Sequence, residues 1–208
     1  MTVPPDFRAT RFGAVVIGVS SGGVQALSAL LGALPANFAL PILIVQHIGA
    51  DAGDGLARLL NSQSPLHVKE ADEMDLPAPG HVYLAPPNYH LLVEPDGRLA
   101  LTADQLVSYA RPSVDVLFES AAEAFGPALI GIILTGANHD GSRGLARIKA
   151  RGGLVIVQDP ADAEAPQMPM AALAALGEST ADHVVPLAAL PALLTTLAHA
   201  AQGTCHGQ

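Results

Sequence analysis

The chain has 208 residues, 50% of them hydrophobic and 14% charged, ample material for the core of one α/β domain. Only 4% are aromatic, there is no tryptophan, and the formal net charge is -9; rings for base stacking are lacking and phosphate backbones are repelled, so nucleic acid is not expected as a partner. One cysteine, Cys205, allows no intramolecular disulfide or cysteine metal cluster, the N-terminus has no signal-peptide core, and no apolar run nears the roughly 18 residues of a membrane helix; a cytoplasmic protein without membrane insertion is expected.

Residues 1–12 read as a flexible tail. Ala14–Val19 is a continuous apolar run, the pattern of a strand buried on both faces. After a turn at Ser20–Gly23, the residues Val24, Leu27, Leu30, Leu31 and Leu34 recur at helical spacing until Pro35. A second strand-like run, Leu40–Val45, ends at Gln46-His47, and a helix is expected over Gly53–Leu60. Short strands are expected around His67–Lys69, His81–Ala85 and His90–Val93. Turns at Pro86-Pro87-Asn88 and Pro95-Asp96-Gly97 make this middle third look like an inserted hairpin region.

Ser113–Phe125 has helical periodicity, with Ser113 placed to cap it. Ala128–Leu134 reads as a strand, Thr135–Gly141 as a polar loop and Ser142–Ala150 as a helix ended by Gly152-Gly153. A strand at Leu154–Val157, a long loop at Pro160–Pro169 and a helix at Met170–Leu176 follow. A strand at His183–Val185, a helix at Leu187–Ala200 and a flexible tail at 201–208 complete the chain. Alternating helices and buried strands predict a doubly wound α/β fold. It has a mostly parallel sheet with helices on both faces, three-layer and Rossmann-like, plus a small inserted β-hairpin region. One domain over 13–200 is expected.

Gly18-Val19-Ser20-Ser21-Gly22 fits G-x-S-x-G between a strand and a helix. Such a sharp turn lifts a serine oxygen clear of the chain, and the helix N-terminus offers free N–H groups to an oxyanion. The competing reading is a dinucleotide turn, with Ser20 in place of the middle glycine of G-x-G-x-x-G. That serine hinders close approach to a pyrophosphate, and the second strand ends in Gln46-His47 where an acidic residue is expected. A third reading is a plain helix cap.

His47 follows the second strand directly, and Asp140 follows the Ala128–Leu134 strand. Ligands of open parallel sheets bind beyond the carboxyl ends of the strands. Ser20, His47 and Asp140 all fall there, as nucleophile, base and orienting acid. Asp140 could instead cap the following helix, and His139 is a weaker candidate base. From spacing alone Arg111 reads as solvated, with carboxylate binding as the alternative. The histidines His67, His81, His90, His183, His199 and His206 show no metal-ligand spacing, and no metal site is expected.

Several segments together resemble the catalytic domain of the chemotaxis protein-glutamate methylesterase (CheB) family. They are Gly18–Gly23, Gln46-His47, Pro79–Pro86, Arg111–Phe118, Leu134-Thr135-Gly136 with Asp140-Gly141, and Met168-Pro169. The resemblance runs from about Ala14 to Leu194. It implies Ser20 as nucleophile, His47 as base and Asp140 as acid, with Ser21, Ala137, Arg111 and Met168 at the oxyanion and substrate sites. It implies hydrolysis of glutamyl methyl esters on the cytoplasmic helices of chemoreceptors, releasing methanol, with deamidation of receptor glutamines in some members and no cofactor. The chain departs from the family's threonine at Ser21, its proline at Gly49 and its Arg or Lys at Met170. The family's Gly-Met-Gly-Asn-Asp-Gly loop here contains Ala137-Asn138-His139. Only a dozen residues precede the first strand, so switching by an N-terminal receiver domain is not expected. A scaffold or signalling module of the same fold is the alternative role.

Overall fold

The computed structural model describes residues 12–47, 55–177 and 179–199. Residues 1–11 of the expected tail over 1–12 and the whole expected tail over 201–208, with Gly49, Cys205 and His206, lie outside them. The chain runs β1 (Ala14–Val19), α1 (Gly23–Gly32), β2 (Ile42–Gln46), α2 (Gly55–Gln63), β3 (His67–Glu70), β4 (His81–Leu84), β5 (His90–Val93) and β6 (Leu99–Thr102). It continues through α3 (Val114–Phe125), β7 (Leu129–Ile133), α4 (Ser142–Ala150), β8 (Leu154–Gln158), α5 (Gln167–Leu176), β9 (His183–Val185) and α6 (Leu190–His199).

Seven strands form one sheet in the order β3-β4-β2-β1-β7-β8-β9, and every adjacent pair is parallel. Alternation along β1 divides the core. Val15, Ile17 and Val19 pack with Leu27 and Leu30 of α1, Leu60 of α2 and Leu194 of α6. Ala14 and Val16 face Leu117 and Phe118 of α3, Leu145 of α4 and Leu176 of α5. Burial on both faces explains the uninterrupted apolar runs, and each fully buried aliphatic side chain contributes about 1.5 to 3 kcal/mol.

The path of the chain creates the crevice. From β1 it winds outward through β2 to β3 and β4, then returns by α3 to β7 on the other side of β1. The carboxyl ends of β1 and β7 therefore flank the switch point where doubly wound sheets hold their ligands.

α3 reaches this edge because Gly18 has no side chain. A Cβ there would lie 2.2 Å from Val114 Cγ1 and 3.0 Å from Ile133 Cδ1. Gly18→Ala is expected to cost about 1 to 3 kcal/mol through overpacking, read as a lower denaturation midpoint. An unchanged midpoint would mean that α3 is free to shift away.

The middle third differs from expectation. β3 and β4 are parallel members of the main sheet, and the separate antiparallel hairpin is β5 with β6. β6 escaped sequence reading because Leu99–Thr102 is short and mostly half-buried, with weak alternation. α5 begins at Gln167, inside the expected loop; Pro169 sits in its first turn, where the missing N–H has no intrahelical partner to lose. Phe12, assigned to the tail, is 1% exposed and belongs to the core.

Candidate active site

Three loops meet at the carboxyl edge of the sheet. Ser20 lies in the β1–α1 turn, His47 directly follows β2, and Asp140 ends the loop after β7. Backbone hydrogen bonds fix them to one another. The Ser20 N–H donates to Thr135 O at 2.9 Å and the His47 N–H to Val19 O at 3.2 Å. Buried Gln46 spans the first two loops, its Nε2 donating to Ser20 O at 3.0 Å and to His47 O at 2.9 Å. Gly22 takes φ of 77°, a conformation that costs glycine little.

The side chains form a line. His47 Nε2 is 2.9 Å from Asp140 Oδ2, and His47 Nδ1 is 3.3 Å from Ser20 Oγ. An ionised carboxylate only accepts, so the imidazole proton sits on Nε2 and the Nδ1 lone pair faces the serine.

Asp140 is 1% exposed. Besides His47 it accepts the Val114 N–H at 2.7 Å, the Asp115 N–H at 3.1 Å and the Ser113 hydroxyl at 2.9 Å. Burial pushes its pKa up, but the hydrogen bonds from His47, Val114 and Asp115 prevail, and its carboxyl is held below the ordinary range. Two of these donors belong to the first turn of α3, whose dipole also favours negative charge. Asp140 thus caps α3 rather than the helix that follows it; α4 has Gly141 at its own N-cap. Ser113 occupies the N-cap of α3 but makes no side-chain capping bond, its hydroxyl being spent on Asp140.

A pocket of about 530 Å³ opens over the serine, with Ser20, His47 and Asn138 on one side and Leu106, Tyr109 and Arg111 on the other. Ser21 and Ala137 are exposed, and among the described residues neither backbone N–H has a hydrogen-bond partner, leaving both available to an oxyanion. At the start of α1 a side chain on Gly22 would meet Glu164 Oε2 at 2.8 Å. A carboxylate there opposes the phosphate required by the dinucleotide reading. His139 is exposed, and the base position is filled by His47. No group of three or more metal-binding side chains occurs among the described residues.

The family model for CheB methylesterase matches residues 15–194. The chain belongs to the CheB methylesterase family. A Leptospira interrogans protein named protein-glutamate methylesterase/protein-glutamine glutaminase is 46% identical over 187 residues, covering 90% of this chain and 95% of that one. The Myxococcus xanthus protein-glutamate methylesterase FrzG is 44% identical over 180 residues, and there the match spans 53% of the relative. The crystal structure of the Thermotoga maritima CheB methylesterase catalytic domain superposes with a TM-score of 0.83 at 36% identity, covering 89% of this chain and 98% of that one.

Within this CheB fold, two residues expected at the substrate site have other partners. Met168 is 1% exposed and packs behind the nucleophile; a Cβ on Gly136 would lie 2.0 Å from its Sδ and 2.9 Å from Ser20 Cβ. It braces the wall and does not face the pocket. Arg111 is neither freely solvated nor paired with a carboxylate. Its Nε and Nη2 donate to Asn88 Oδ1 at 3.1 and 2.7 Å, and its Nη1 to Ala103 O and Asp104 O at 2.6 and 2.8 Å. The guanidinium ties the far wall of the pocket together. Arg111→Lys cannot reproduce that fork, so faster amide exchange is expected at the mutually bonded Val107 and Ala110, with β1 unaffected. Unchanged exchange would show that other contacts hold the wall.

Two functional neighbours escaped sequence reading. Buried His90 accepts the Ser113 N–H on Nδ1 at 3.1 Å, while its Nε2 donates to Gln105 O at 3.1 Å. It thereby links the pocket wall to the Asp140 cap. Asn138 stands where the family loop has glycine, and its side chain reaches both Ser20 and His47. The departure from the family pattern was visible in the sequence, but the direction of that side chain was not.

Proposed function

We propose that this chain is a serine hydrolase that removes methyl groups from glutamyl methyl esters of chemoreceptors, yielding glutamate and methanol. The observation that carries the reading is the continuous contact Ser20–His47–Asp140, at 3.3 and 2.9 Å. His47 Nδ1 takes the Ser20 proton as Oγ attacks the ester carbonyl, and Asp140 stabilises the imidazolium that forms. The N–H groups of Ser21 and Ala137 bind the oxyanion. The C–O bond to methanol then breaks, and the proton on Nδ1 goes to the departing methoxide. Water, deprotonated by His47, cleaves the acyl-Ser20 ester and restores the serine.

Glutamine side chains enter the same sequence with ammonia as leaving group, which makes deamidation a second activity; the Leptospira relative's name joins both reactions. The partner is a cytoplasmic receptor helix, so the site of action is the cytoplasm. Exposed Leu106 and Tyr109 beside the pocket suit the apolar stripe of such a helix. Among the described residues no helix is long and apolar enough to cross a membrane. The working unit is a single domain that begins at Phe12, one residue before the expected bound, and runs to about residue 200.

A peptide carrying one glutamyl methyl ester tests the chemistry apart from the receptor. Methanol release is expected, with a transient acyl adduct on Ser20 detectable by mass spectrometry after acid quench. Turnover accompanied by an adduct on another residue would rule out Ser20 as nucleophile.

A further inference from the structure

Asn138 lies between the two groups that exchange the proton. Its Nδ2 is 3.0 Å from His47 Nδ1 and 3.3 Å from Ser20 Oγ. The other end of the amide fixes which atom faces inward: Oδ1 accepts the Asp140 backbone N–H at 2.9 Å, so the nitrogen is turned toward His47. His47 Nε2–H is committed to Asp140, leaving a single in-plane lone pair on Nδ1. Two donors compete for it, the Asn138 amide at 3.0 Å and the Ser20 hydroxyl at 3.3 Å. The amide is nearer and is anchored by its own turn, while the hydroxyl is free to rotate.

We infer that Asn138 is a latch on the general base, occupying His47 Nδ1 in the resting enzyme and holding Ser20 in a less reactive state. The inference rests on the reading of Ser20, His47 and Asp140 as the catalytic set. While the amide holds Nδ1, the serine proton lacks its acceptor, and Ser20 Oγ receives the second amide hydrogen. Both effects lower the nucleophilicity of that oxygen. Once the serine proton has moved to Nδ1, an amide N–H aimed at that nitrogen is repulsive, so Asn138 must swing aside. The contact stabilises the ground state and not the transition state, and such a contact slows the reaction.

The test is the second-order rate of covalent labelling of the full chain by an alkyl fluorophosphonate, in wild type, Asn138→Ser and Ser20→Ala. A serine at 138 can still accept the Asp140 N–H in a local turn, but it is too short to reach His47. Labelling of Asn138→Ser is expected to be about three- to tenfold faster than wild type, the scale of one net hydrogen bond, with Ser20→Ala unlabelled. Equal or slower labelling of Asn138→Ser overturns the latch; a slower rate would mean that the amide assists the transition state. Absence of Ser20-dependent labelling in wild type and Asn138→Ser alike overturns the catalytic assignment beneath it.

Discussion

Ser20→Ala is expected to lower ester hydrolysis by about 10⁴- to 10⁶-fold, the scale on which a serine hydrolase loses turnover without its nucleophile. The backbone at that position survives the change. The Ser20 N–H still reaches Thr135 O, and Gln46 still bonds Ser20 O. Only Oγ is lost, with its contacts to His47 and Asn138. Stability should therefore stay within about 0.5 kcal/mol of wild type, so that a dead enzyme with an intact denaturation curve isolates the chemical role. A variant retaining more than a few per cent of wild-type turnover would remove Ser20 from the mechanism.

Asp140→Asn has the second large effect, and it acts twice. Turnover should fall by about 10³- to 10⁴-fold, because a neutral amide no longer stabilises the imidazolium or fixes the His47 proton on Nε2. Stability should fall as well, by about 2 to 4 kcal/mol, since a buried carboxylate accepting four hydrogen bonds is replaced by a group that must turn N–H donors toward some of its former partners. The pH dependence distinguishes the two. The folded Asp140 pKa lies below its unfolded value near 3.9. Its contribution is therefore fully present above about pH 4 and is lost as pH falls through the lower folded value. The stability gap between wild type and Asp140→Asn should be constant at neutral pH and close in acid. Burial pushes Asp115 the other way, and the Asp140 charge adds to that push; the substitution eases Asp115, so the gap closes by less than Asp140 alone would give. A gap that widens in acid would contradict the assigned carboxylate role.

Most of the sheet could be read from the sequence because its strands are buried on both faces and appear as unbroken apolar runs. β1, α4 and β9 fall at their expected bounds. β3 and β4 read as short strands, but their membership of the parallel sheet depends on long-range pairing that no local pattern shows. The convergence of Ser20, His47 and Asp140 at one edge followed from the strand–loop grammar of a doubly wound fold. The support around them did not. Asp140 caps a helix 25 residues before it in the chain, and His90 acts through a backbone N–H and a carbonyl, so neither bond depends on a local motif. Met168 resembled a substrate residue because it sits in a recognisable dipeptide, yet its burial behind Gly136 gives it a packing role.

Methanol release from methyl-labelled chemoreceptor membranes, comparing wild type with Ser20→Ala, tests the central claim most directly. Release is expected from wild type and none above the membrane blank from the variant. Equal release by both proteins, or no release by a demonstrably folded wild type, would contradict the assignment of a Ser20-dependent chemoreceptor methylesterase.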